Sequence, residues 1–106
     1  MEINIDFSIF ESPVRAYGNV TGTLEVASSP QMGSMVPFIG KRGLVVENGF
    51  TGLSRVISIT PIEGQPPLFG LDDVVVDSHS SASLIAQRFS QEMNLFIIEY
   101  EHDPGK

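Results

Sequence analysis

The chain has 106 residues, no cysteine, and thirteen acidic against six basic residues, giving a formal net charge of −7. That length fits one ordinary domain, 1–106, able to bury roughly 65% of its unfolded surface without metal or disulfide staples, and the missing cysteines exclude a disulfide framework, thiol catalysis and any cysteine zinc site. The acids are scattered along the chain, which weighs against nucleic acid and anionic membranes, both held by Lys and Arg, and fits solubility better than recognition of a basic partner.

Ile3, Ile5, Phe7 and Ile9 alternate with Glu2, Asn4, Asp6 and Ser8, the pattern of a half-buried strand. This acidic alternation has neither the basic head nor the apolar block of a secretory signal, so a cytoplasmic protein is expected and the glycosylation pattern Asn19-Val20-Thr21 carries little weight. No stretch approaches the ~20 apolar residues of a membrane helix. After Glu11-Ser12-Pro13, a second stretch puts Val20, Leu24 and Val26 on one face and Thr21, Thr23 and Glu25 on the other. Gly22, on the apolar face, signals a bulge or a close approach. The two stretches are expected to pair antiparallel across a long connection at residues 14–17.

Residues 28–34 are turn chemistry. The apolar piece 35–39 contains Pro37, which lacks a ladder donor, so it reads as an edge strand or a covering loop; the basic turn Gly40-Lys41-Arg42-Gly43 closes it. Leu44-Val45-Val46-Glu47 reads as a strand ending at the tight turn Asn48-Gly49. A strand over 55–62 leads into a turn region at Glu63-Gly64-Gln65-Pro66-Pro67 and doubles back into 71–76. There the β-branched block Val74-Val75-Val76 suits a central strand buried on both faces.

Ala82, Ile85, Ala86, Phe89 and Met93 recur at steps of three and four, the apolar stripe of a helix that needs a sheet to cover. Asp77, Ser78, Ser80 and Ser81 can each cap its start, and Asn94 suits the left-handed residue that closes it. Leu95-Phe96-Ile97-Ile98 follows at once, either as the second parallel strand of a crossover, the favoured reading, or elsewhere in a mixed sheet. The expected fold is therefore α+β: a curved antiparallel or mixed sheet of about six strands, open or partly closed into a barrel, with one helix packed on it and a strand at the end.

Four places carry candidate chemistry. The helix start Asp77-Ser78-His79-Ser80 holds the residue types of a hydrolase triad and free amides for an anion, but adjacent residues cannot form triad geometry among themselves; it reads first as caps with a solvated His, second as an anion or ligand site. His79 and His102 lie near Asp72, Asp73, Asp77, Glu99, Glu101 and Asp103 in sequence without metal-ligand spacing, and 99–103 reads as a polar strand end running into a frayed tail. Asp72 and Asp73, adjacent on a strand entry, are expected to point to opposite sides and form no dyad, while Glu25 and Glu47 read as solvent-facing. The glycine turns Gly33-Ser34 and 40–43 lack the pattern of a phosphate loop. No catalytic residue, metal or cofactor is assigned.

Apolar residues outside the periodic elements, Met32, Met35, Val36, Phe38 and Ile39 in one segment and Leu68 and Phe69 in another, either fold over the core or meet a partner. Two readings of function result. In the preferred one, the chain is a non-catalytic interaction module that binds another protein or itself, an inhibitor or immunity-type protein being one form, with Met35, Phe38, Ile39, Leu68 and Phe69 as contacts and the exposed basic pair Lys41 and Arg42 beside them. In the other, it is a small enzyme or ligand-binding domain whose pocket gathers Asp77, Ser78 and His79 with Arg55 or Tyr100.

Overall fold

A computed structural model describes residues 1–100, in the order β1 (Glu2–Ser12), β2 (Arg15–Glu25), β3 (Met35–Pro37), β4 (Ile39–Gly40), β5 (Gly43–Leu44), β6 (Leu53–Ile62), β7 (Gln65–Leu71), β8 (Val74–Val75), α1 (His79–Met93) and β9 (Phe96–Glu99). The fold is α+β, a mixed sheet in the order β3-β6-β7-β1-β2-β9 with β8 also paired to β1. Helix α1 packs on one face of it, and β4 and β5 form a separate hairpin. The sheet does not close into a barrel. The chain crosses over α1 to set β9 beside β2, on the opposite side from β3, so β3 and β9 remain as two edges.

The alternation in β1 is realised residue by residue: Ile3, Ile5, Phe7 and Ile9 are buried while Asn4, Asp6 and Ser8 line the other face. Its antiparallel register with β2 sets Phe7 against Val20 and Ile5 against Gly22. The glycine is a close approach, since a side chain there would meet Leu95 Cδ2 at 2.7 Å, and its φ of 150° suits only glycine. The link from β1 to β2 is shorter than the sequence suggests: Pro13 and Val14 alone make the turn, and Arg15, Ala16 and Tyr17 already belong to β2.

The valine block is not a central strand buried on both faces. Val74 and Val76 are buried but Val75 is exposed, and β8 is the second piece of a broken strand. Both pieces run parallel to β1, β7 against Asn4, Ile5 and Asp6 and β8 against Ile9 and Phe10. An unbroken strand would send one of the adjacent carboxylates of Asp72 and Asp73 into the core; the break keeps both at the surface. Leu44-Val45-Val46-Glu47 is likewise mostly loop, with only Leu44 in β5 and Val45 buried.

Helix α1 forms as its stripe requires, burying Ala82, Ile85, Ala86 and Phe89. Ser78 caps it by accepting from the Ser81 amide, and Asn94 ends it with φ 57°. Strand β9 is parallel to β8 but lies two strands away, so the crossover passes over β1 and β2. The core between helix and sheet centres on aromatic rings: Phe38 meets Phe7, Phe89 and Phe50 at centroid distances of 5.2, 5.3 and 5.7 Å.

Candidate functional site

Residues 35–39 alternate. Val36 and Phe38 turn into the core, while Met35, Pro37 and Ile39 face outward, with Met35 49% and Ile39 63% exposed. The outward set lines a groove of about 590 Å³ together with Val26 and Pro30 from the loop after β2 and with the polar Glu25, Ser28 and Gln31. Two of the sequence's partner-contact residues, Met35 and Ile39, are thus brought together. Phe38 and Phe69 are not contacts: each is at most 1% exposed. Phe38 is the hub of the ring cluster, and Phe69 is on β7, opposite Ile5 of β1. Leu68 is not in a loop either, since β7 begins at Gln65 and only Glu63 and Gly64 make the turn.

Lys41 and Arg42 form the tip of the β4–β5 hairpin, next to Ile39. Arg42 is drawn back to α1, its guanidinium 3.1 Å from Glu92 Oε2 and its amide 3.3 Å from Oε1. Glu92 also accepts from Arg88 Nε at 2.8 Å. These donors, Arg88 foremost, hold the Glu92 carboxyl down to about 2. Lys41 stays exposed.

The helix start does the work of a cap. The Ser81 amide and hydroxyl engage Ser78 Oγ and Asp77 Oδ1 at 3.1 and 2.9 Å, and the Ser78 hydroxyl lies 3.2 Å from Ser81 Oγ. His79 turns the other way, its Nδ1 3.2 Å from Glu11 Oε2 and its ring against Tyr17. Sequence spacing carried no signal for that partner; pairing of β8 and Val76 with the end of β1 delivers Glu11 to the helix start. Ser80 is exposed. Arg55 and Tyr100 do not join this group: Arg55 lines a cleft of about 310 Å³ with Asp72 and Asp73, and the Tyr100 hydroxyl lies 3.5 Å from Ser8 Oγ.

Asp72 and Asp73 both line that cleft, at the break between β7 and β8. Partial burial, and next the charge of Asp72, raise the Asp73 carboxyl above its ordinary range. Tyr17 donates to Glu99 at one end of a second groove, between β9 and α1; burial first and this bond second push its phenol up. Among the described residues, no three His, Asp or Glu side chains lie close enough to hold a metal ion, and no helix is long and apolar enough to cross a membrane. Glu101, His102 and Asp103 lie outside the described residues.

No protein-family model matches this chain, and neither does any curated protein or solved structure.

Two apolar surfaces escaped the reading of the sequence. On β9, Phe96 and Ile98 look apolar enough for a buried strand, yet they are exposed on the face opposite α1; Ile97 alone of the three packs against the core. On the β6–β7 hairpin, every residue from 57 to 66 is exposed. The signal was the absence of charge from Val56 to Ile62, which in a chain this acidic marks surface that a solvated strand would not leave bare.

Proposed function

We propose that this protein is a non-catalytic interaction module that holds another protein in the groove between β3 and the loop after β2. The observation that carries the reading is the outward row Met35, Pro37 and Ile39, set against Val26 and Pro30 in a concave surface. Large side chains left half or more exposed in one place are the usual mark of a contact, and methionine adapts to the shape of what it meets.

The test is binding by the intact chain in extracts of its native host, compared with Met35→Asp and Ile39→Asp. A stoichiometric partner retained by the wild type is expected to be lost with either variant while the far-ultraviolet circular dichroism is unchanged. Retention of a small molecule in native mass spectrometry, with no protein partner, would instead favour a ligand-binding domain.

A further inference from the structure

Strand β9 ends the sheet with a whole edge open. It pairs with β2 from Phe96 to Glu99 without a bulge, and the Tyr100 amide donates to the Tyr17 carbonyl at 3.0 Å. Hydrogen-bonded pairs alternate in an antiparallel ladder. Phe96 and Ile98 therefore turn their N–H and C=O groups to β2, while Ile97 and Glu99 turn theirs outward, where no described strand meets them. Natural edges of this kind are blunted by proline, lysine or a bulge. The other edge, β3, carries Pro37; β9 has none of the three.

The same two residues also face a groove. Ile97 packs against the core and Glu99 accepts from the Tyr17 hydroxyl, so both side chains are on the α1 side of β9. There they line a groove of about 470 Å³ together with Ser83, Gln87 and Ser90 of the helix. These helix positions follow one another at steps of four and three and share a face, and the two serines are short enough to leave room between strand and helix. Open backbone groups in an extended row, with space for alternate side chains beside them, are what a sheet needs to take up one more strand.

Charge selects the strand. Glu99 is exposed and pairs with no cation among the described residues; the bases near Tyr17, Arg15 and His79, turn to Glu11 instead. A second copy is disfavoured, because it would bring another β9 whose charge is the same carboxylate, on a body of formal charge −7. We infer that β9 takes up an extended peptide of another protein as an added edge strand, with an apolar side chain beside Ile97 and a lysine or arginine beside Glu99. Those two peptide residues are two positions apart and enter the groove, while the one between them lies on the outer face beside Ile98, which is 65% exposed. The site is at the opposite edge of the sheet from the groove beside β3, so loss of binding at one leaves the other untouched.

The test is fluorescence anisotropy of the full chain with a labelled peptide, threonine-lysine-valine-valine-valine-lysine-threonine, which reads the same in both directions and so suits parallel or antiparallel addition. Amide hydrogen exchange is followed by NMR on the same samples. The peptide is expected to bind, and the amides of Ile97 and Glu99, quick to exchange in the free protein, to become protected. A peptide with glutamates for the lysines should bind at least about tenfold more weakly. One N-methylated at its valines, with the same charge but without those donors, should not bind. Glu99→Gln, which can still accept from Tyr17, should weaken the lysine peptide about threefold. Failure of the lysine peptide to bind overturns the proposal, as does equal binding of the N-methylated peptide or indifference to both charge changes. Protection of Ile97 and Glu99 that rises with protein concentration alone overturns it in favour of a second copy.

Discussion

Phe38 and Ile39 are neighbours with opposite fates. The Phe38 ring lies where Phe7, Phe50 and Phe89 converge, so its removal opens a cavity in the middle of the core. Phe38→Ala should cost about 3–5 kcal/mol in urea unfolding, whereas Ile39→Asp should change stability by about 0.5 kcal/mol or less, as for other exposed sites. Glu92 offers a second residue-level prediction. Its carboxyl, held near 2 against an ordinary 4.5, favours the folded state once ionised; that contribution is present above 4.5 and is lost as pH falls through about 2. Glu92→Gln should lower the urea midpoint at neutral pH, and the gap between variant and wild type should close progressively through that window. The sequence showed that 35–39 is apolar and broken by Pro37, but not which side chains turn inward. That depends on the pairing of Met35 with Arg55, a contact 20 positions distant that no local pattern encodes.

At the scale of elements, the first strand and the helix were legible because each has a clean period, two in β1 and three to four in α1, and a whole face to bury. Strands β4, β5 and β8 were not, because two-residue pairings leave no periodic signal. Gly22 was legible in kind: a glycine on the apolar face of a strand marks a close approach, and Leu95 is what approaches. Gly22→Ala should destabilise the protein by about 1–3 kcal/mol, because the added methyl meets Leu95 and the backbone conformation is strained for any other residue. Thermal unfolding checks it, and Ala16→Gly in the same strand serves as a control for composition.

For the whole molecule, stability should be distributed unevenly. Strands β1 and β2 pair along almost their full length and carry the helix on their inner face, while the β6–β7 hairpin has solvent on both sides. In dilute solution, amide hydrogen exchange should be slowest in β1 and β2 and faster by at least about a hundredfold in residues 57–62. The radius of gyration, 13.7 Å against about 13 Å for a compact chain of this length, fits a body with one extended limb. The candidate groove was half legible, since Met35 and Ile39 were singled out but Val26 and Pro30, which complete it, come from a different part of the chain.

The interruption between β7 and β8 has a mechanical outcome for β1. One stretch of chain grips that strand at two places, near Asn4 to Asp6 and again at Ile9 and Phe10, with the acidic kink between. Sliding β1 by a single position would have to undo both grips at once and turn four apolar side chains out into water. Like a ruler pinned at two marks, β1 has one alignment open to it, and every other strand takes its position from there.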